Sequence, residues 1–546
     1  MRCSAKPTNS CTSRPIRWLR ESAASAYNSL GVPLSEDEKL VWLGLKETIS
    51  DDTFSGSTPP TNSNDEELTT DDGSPLAGIR VHSEPGQSYD GIDVPAGTAE
   101  VFGARVEVSE RTPVVENEQP PDTEPVSDPP VDGEPGGDGT GKGDPAAQDI
   151  EFTSTLNAVE DLGLDNTGGT PINSGLQGAI DDGTLIEFPA GTYQVDPTDN
   201  DGKGVIVNSV TNFGMVGLGD HRKKTRFTLP SGTAGRTFTW GSGASKTYLA
   251  NCVMDQSTDP GMNIQMTINQ GGKFYSYNTG HIGRTAPDPD ANPGGKDLSL
   301  QTVSMDAGAD CRIENYQKTS KALRLLDYPQ NQIGLQAPRQ HAGTLTVVNA
   351  HYANGRSHSI YASRVAGAAR VLGGLFHNQT NTNLRICGNG SYAKGASILV
   401  DMDPAVAVEE DTGDPQAVRG VRWEAGKYGK TGGYLENCEI IYTSQTGACP
   451  GLLRVVGSAG GMEVRDCTIR NETTHTTAFI EKPGTTGATP PKPWDVLFTG
   501  CTFTGAGTAP PVVNAAPEER TVTLEDCTID MPNAAQPRGV EVVGSG

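Results

Sequence analysis

From about residue 150 to the end of the chain, apolar and polar residues alternate over short runs, and helical periodicity is nearly absent. Runs of this kind, separated by Gly, Asn and Asp, predict short β-strands joined by tight turns. Four of them share a frame: LENCEI at 435–440, VRDCTI at 464–469, FTGCTF at 498–503 and LEDCTI at 524–529. In each, a cysteine, one free residue and a large apolar residue follow one another. Aligned on Ile440, Ile469, Phe503 and Ile529, the frame extends upstream to Val400, Phe376, Tyr352, Tyr316, Tyr277, Met254 and Val216, at separations of 23 to 40 residues. A second strand follows many of these, as in HSIYASR, TNLRICG and PGLLRVVG. An irregular period of this length, holding several strands, predicts a solenoid in which each repeat is one coil. Positions i and i+2 share a face of a strand. The cysteine and the Ile or Phe therefore point inward, and Glu439, Thr468, Thr502 and Thr528 point out. Cys438, Cys467, Cys501 and Cys527 are expected to be buried and unbonded, since in-register stacking disfavours the torsion of a disulfide.

The N-terminal part follows a different pattern. Residues 1–50 read as two short helices, the second with a capping box from Ser35 to Glu38 and an apolar side of Val41, Trp42, Leu45 and Ile49. A helix this short needs a partner surface, so 1–50 is predicted to be an anchor or docking segment. Residues 51–74 form an acidic linker, 75–115 a small β unit, and 116–148 a second linker dense in Pro, Gly and acid. The solenoid occupies 149–546.

The segment INSGLQGAIDDGTLIEFPAGTYQV at 172–195 places a short helix, a glycine turn and a strand ahead of the first coil. Leu176, Ala179 and Ile180 are placed to cover the open end, and Leu185, Ile186 and Phe188 begin the strands. This segment resembles the N-terminal cap of the pectate-lyase-like superfamily of parallel β-helix proteins, a resemblance that covers about 165–546. It implies an all-β fold: a right-handed parallel β-helix solenoid, with a small N-terminal helical segment and a small β unit outside it. About a dozen coils at about 4.8 Å each would make it roughly 60 Å long. The superfamily includes pectate lyases, polygalacturonases, rhamnogalacturonan-cleaving enzymes and phage tailspikes. The resemblance implies carboxylates on Ca²⁺ with an Arg or Lys base in the lyases, and a close carboxylate pair in the hydrolases.

Composition narrows the classes. Hydrophobic residues make up 34%, with 67 Gly and 38 Pro among 546 residues, which suits a turn-rich β architecture. The net charge of −26 predicts a solvated acidic surface of the kind found in salt-adapted proteins and argues against nucleic-acid binding. It suggests a virus of halophilic archaea as the source. No apolar run approaches the roughly 18 residues of a membrane span, and the first twenty residues lack the apolar stretch of a secretory signal. Ten cysteines do not make a disulfide scaffold.

Candidate chemistry is sparse. The paired aspartates of a hydrolase are missing around NTGHIG at 278–283, and His281 reads as a surface turn. Asp401 and Asp403 alternate on one strand and form a candidate site for a structural divalent cation; no other cofactor is implied. HYANGRSHSIYASR at 351–364 gathers two His, two Arg and two Tyr. His351 and Arg356 are its candidates for anionic sugars. Trp423, Tyr428 and Tyr434 lie off the core frame among glycines and are candidate glycan-stacking residues. The function expected is a virion surface appendage (a tailspike, fibre or capsid-turret protein). Its residues 1–50 dock to virion structural proteins, and its β-helix meets a host-surface polysaccharide or glycoprotein as a homo-oligomer. The alternatives are a polysaccharide lyase or glycoside hydrolase, and a cell-surface adhesin or structural protein.

Overall fold

The computed structural model describes residues 137–544 apart from 138, 199–202, 232, 234, 242, 256, 258–263, 271, 284–298, 320–332, 356, 402–417, 445–448 and 450, together with four short strands between 88 and 107. The expected helices of 1–50, and Arg356 and Asp403, lie outside the described residues. The strands Ser88–Tyr89 and Ile92–Asp93 pair antiparallel, as do Thr98–Val101 and Ala104–Glu107, within the β unit expected at 75–115.

From residue 154 onward every strand pairing is parallel, and the chain winds as a right-handed parallel β-helix with three faces. The first face holds strands such as Asp310–Glu314, Thr344–Val348 and Met462–Arg465. The second holds Gln317–Lys318, His351–Ala353 and Glu439–Ser444. The third is a sheet of eleven strands running from Val205–Val207 to Val512–Asn514. The inner sides of all three faces meet in one continuous apolar core.

The frame read from the cysteine motif is the register of the second face. Ile440 pairs with Ile469, Ile469 with Phe503, and Phe503 with Ile529. Tyr352 and Phe376 also pair in it. Four upstream positions differ. Phe376 pairs with Ile398 rather than Val400, and Tyr352 with Lys318 rather than Tyr316. Val400 and Tyr316 still point inward, because a shift of two keeps the face; Tyr316 stacks on Tyr352 at 4.8 Å. Met254 pairs with His281, so Tyr277 is not in the frame. Tyr277 lies beyond a corner, on the first face, where Val216, Ala250 and Tyr277 form an outward row. His281 is thus a buried core residue and not a surface turn; its Nδ1 lies 2.6 Å from the Tyr316 hydroxyl.

The corner explains the frame. Three residues before each frame position the backbone is left-handed: Asn251, Asn278, Asn315, Asn349, Gly373, Gly395, Asn437, Asp466, Gly500 and Asp526 all have φ between 47° and 64°. Asn, Asp and Gly are the residues that tolerate this region. The asparagines also bond along the stack: Asn278 Nδ2 donates to Asn251 Oδ1 and Asn349 Nδ2 to Asn315 Oδ1, both at 2.9 Å. Cys438, Cys467, Cys501 and Cys527 follow the corner directly and are buried free thiols, as expected. Ile529 is the exception in its row. It is 38% exposed, because its strand is the last of the second face and no coil stacks beyond it.

At the other end the helix Asn173–Gly178 closes the core. Leu176 is fully buried, and Ala179 and Ile180 pack against the cluster. Gln177 accepts from the Ile206 N–H and donates to the Ile206 carbonyl. It thereby satisfies the outer edge of the first third-face strand.

The segment 137–150 lies along the outside of the early coils as a strap. The Gly137 and Gly139 carbonyls accept from Arg222, the Gly141 carbonyl from Asn278, and the Lys142 carbonyl from the Tyr248 hydroxyl. Asp149 pairs with Lys246 at 2.9 Å, and Ile150 is buried against Val216, Tyr248 and Tyr275. A Cβ at Gly143 would come within 2.6–2.8 Å of Tyr275 and Tyr277, so only glycine lets the strap lie this close.

Candidate functional site

The densest charge cluster among the described residues sits on the outer side of the third face. Three consecutive strands carry an arginine between two inward residues: Leu384-Arg385-Ile386, Val421-Arg422-Trp423 and Leu453-Arg454-Val455. Their register pairs Arg385 with Arg422 and Arg422 with Arg454. Neighbouring strands lie about 4.8 Å apart, so the guanidiniums form a ladder along the axis.

Glu424, 1% exposed, anchors the ladder. Its Oε1 accepts from Arg364 at 2.6 Å, and its Oε2 lies 2.6 Å from Arg385 and 2.7 Å from Arg422. Burial works to raise the Glu424 pKa, but the charges of Arg385, Arg422 and Arg364 outweigh it and hold the carboxyl below its ordinary value. Arg454 pairs with Glu481, whose other oxygen accepts from the Gly457 N–H at 2.9 Å. Arg385 also lies 4.1 Å over the Tyr361 ring and bonds His358 Nε2 at 3.1 Å. Burial, with Arg385 and Arg422 behind it, pushes the His358 pKa far down, so this imidazole is neutral and accepts.

Arg419 completes the group. It is 5% exposed, its Nε has no hydrogen-bond partner, and no carboxylate pairs with it among the described residues. Burial lowers its pKa, and Arg454 and Arg385 beside it add to this, while Cys449 and the Glu481 carboxylate work the other way. Among the described residues, five arginines thus face two carboxylates, on a chain whose net charge is −26. An excess of positive charge held in place by its own ion pairs is suited to an anionic ligand.

The residues singled out from the sequence are dispersed. Trp423 is fully buried in the core, because it alternates with the outward Arg422; it cannot stack on a sugar. His351 is fully buried as well. Burial first, then His377 and Arg222, push its pKa down to about 3, so it carries no charge for an anionic sugar. Tyr434 is half-buried on the first face, where it stacks on Tyr392 at 5.0 Å and 3°, with Arg465 4.8 Å over its ring. Both of its faces are occupied, which leaves a sugar only the ring edge. Tyr428 is 36% exposed. Asp401 is buried on the second face and accepts from the Ser444 hydroxyl at 2.8 Å. Among the described residues no group of three His, Cys, Asp or Glu side chains is arranged to hold a metal, and no helix is long and apolar enough to cross a membrane.

From the basic segment 351–364, the structure brings His358, Tyr361 and Arg364 into the cluster. Sequence reading missed the ladder itself. The signal was present: LRI, VRW and LRV align on their arginine, and two of them lie in the strands TNLRICG and PGLLRVVG.

No protein-family profile matches the chain, and no curated protein matches it. Solved structures do. The Agl-KA catalytic domain is 14% identical with a TM-score of 0.40, covering 71% of this chain and 68% of that one. PfbA, a surface adhesin of Streptococcus pneumoniae, is 10% identical with a TM-score of 0.37, covering 71% and 93%. ORF18 of Geobacillus virus E2 is 13% identical with a TM-score of 0.29; the match covers 73% of this chain and 63% of that one. The chain's own strand order gives it the fold of a right-handed parallel β-helix.

Proposed function

We propose that this protein is a surface appendage of a virion whose β-helix binds acidic glycans on a host cell. The observation that carries the glycan part is the guanidinium ladder, in which, among the described residues, five arginines share two carboxylates. A carboxylate or sulfate on a sugar would add counter-charge to this cluster, and three consecutive strands would each offer one arginine to a chain of such sugars. The virion part is supported by the order of segments: a docking segment at 1–50, acidic linkers, then a rigid solenoid that assembles as a homo-oligomer. Two measurements test the proposal. The protein should copurify with virus particles in stoichiometric amount, and it should bind polyuronate or sulfated polysaccharide in preference to neutral polysaccharide, with affinity falling as salt rises. Binding to neutral glycans alone, or absence from every particle preparation, would overturn it.

Arg422 favours a second reading. The resemblance to the pectate-lyase-like superfamily implies an Arg or Lys base in the lyases, and Arg422 lies on the outer side of the third face beside Glu424. Release of unsaturated oligosaccharides from a polyuronate, abolished by Arg422→Lys, would put that reading first.

A further inference from the structure

Beside the arginine ladder, two exposed turns meet at the corner between the third and first faces. One is 426–430, just past Glu424; the other is 484–494. They are bound to each other: the Ala488 N–H donates to the Gly426 carbonyl at 2.9 Å, and a Cβ on Gly429 would lie 2.9 Å from the Thr489 carbonyl and 3.3 Å from the Pro490 Cα. Each turn carries one aromatic residue whose polar atom is tied to backbone. The Tyr428 hydroxyl donates to the Arg339 carbonyl at 2.8 Å, and the Trp494 indole N–H donates to the Pro490 carbonyl at 3.0 Å. Each ring also has a lysine ammonium at 5.2 Å from its centroid: Lys427 over Tyr428 and Lys492 over Trp494. Tyr428 is exposed and Trp494 half-exposed, whereas the other described tryptophans, Trp240 and Trp423, are buried. The corner adjoins the ladder directly, since a Cβ on Gly426 would lie 2.8 Å from the Arg364 side chain.

The geometry points to a second glycan subsite at this corner, built from Tyr428 and Trp494 and selective for acidic sugars. This inference rests on the glycan reading of the ladder and extends it. A sugar presents an apolar C–H face and, when acidic, an anionic edge. The ring face away from the lysine offers the surface for the first, and the lysine over the other face offers a partner for the second. The paired arrangement repeats in both turns, so two sugar units would be held in similar ways. Because both rings are fixed by hydrogen bonds before any ligand arrives, little side-chain freedom remains to be lost on binding. An acidic oligosaccharide would run from the ladder past Arg364 onto Tyr428 and Trp494. Asp495, exposed next to Trp494, sets one limit by repelling a second anionic group there.

The test uses the full-length protein, oligogalacturonates of two and six units, and maltohexaose as the neutral probe. Titration calorimetry and tryptophan fluorescence are read together. The hexamer is expected to bind at least tenfold more tightly than the dimer and to change the fluorescence of Trp494. Tyr428→Ala and Trp494→Ala should each weaken the hexamer about tenfold and leave the dimer unchanged. Tyr428→Phe keeps the ring and should stay within about threefold of the parent. Both positions lie in exposed turns, and an unchanged circular dichroism spectrum shows that the variants are folded. If the hexamer binds, is weakened by Arg454→Ala and is indifferent to Tyr428→Ala and Trp494→Ala, the corner subsite is refuted and the ladder reading stands. If maltohexaose binds as well as the hexamer, selectivity for acidic sugars is refuted. If no acidic probe binds at all, both readings fall.

Discussion

At the level of single residues, this fold turns on one corner. The left-handed residue three positions before the frame fixes where the first face ends and the second begins, and the residue after it is small in nine of the ten corners, Tyr316 being the exception. That is why a cysteine recurs there, and why Ala350 and Ala396 replace it in other coils. The thiols are fillers. Cys467→Ala should therefore cost about 1 kcal/mol, through a small cavity. Ile469→Asp should cost at least about 4 kcal/mol, because it buries an unpaired carboxylate between Ile440 and Phe503. The same change at Ile529, which is already part-exposed, should cost less than half as much. Denaturation midpoints of the three variants check the order. Alternation alone made the frame legible at Tyr352, at Phe376 and from Ile440 to the end, where apolar residues hold the frame position; at Ile398 the inward residue two places on, Val400, stood in for it. It failed at His281 and Lys318, where polar residues hold that position and an apolar neighbour stood in for it. The run of Asn, Asp and Gly at the corners is independent of polarity and places the ten coils from Asn251 to Asp526.

At the level of elements, each strand of the third face serves two environments. Its inward residues belong to the core, and its outward residues build the charge cluster. Trp423 was misplaced in sequence because it was judged by its glycine-rich surroundings; its alternation with Arg422 puts it inside. The ladder escaped notice because it exists only between strands whose sequence spacing is irregular, so no local window contains it. Glu424 makes the cluster sensitive to acid. Its pKa is lowered in the fold, so the stability it contributes is complete above the unfolded carboxyl pKa of 4.5 and is lost as the pH falls through its lower, folded value. Glu424→Gln should reduce stability by about 3 kcal/mol near neutral pH, because the guanidiniums lose a buried counter-ion. The gap between parent and variant should close as the pH drops well below 4.5. Melting temperatures of both proteins across that range read the effect; a gap independent of pH would show that the carboxylate is not the anchor.

For the molecule as a whole, the division into a short N-terminal unit and a long solenoid follows the composition. The boundary between the two units falls at Pro129–Pro130. The linker expected to run to 148 ends earlier in effect, since 137–148 is seated on the coils through its carbonyls, a role that needs glycine and few side chains. Deleting 1–50 should leave a folded solenoid that no longer joins its assembly, measurable as normal circular dichroism with loss from particles. Deleting 1–150 should instead lower the melting temperature by several degrees, because it uncovers Tyr248 and Tyr275 and leaves Lys246 unpaired.

The strap also decides how the solenoid would respond to tension. Gly137 lies beside Asn315 while Ile150 lies beside Val216, so the chain joins the flank of the coils well past the capped end and then doubles back toward it. A pull arriving from the N-terminal side would load the strap's hydrogen bonds together, along their length, before it reached the first coil. Once they gave way, about 13 residues would pay out, roughly 45 Å of slack at extended-chain spacing. The strap would act as a shock absorber that yields and re-forms while the coils stay intact. In single-molecule extension between the termini, an early reversible step of that length should precede the unravelling of the coils, and Gly143→Val should remove it.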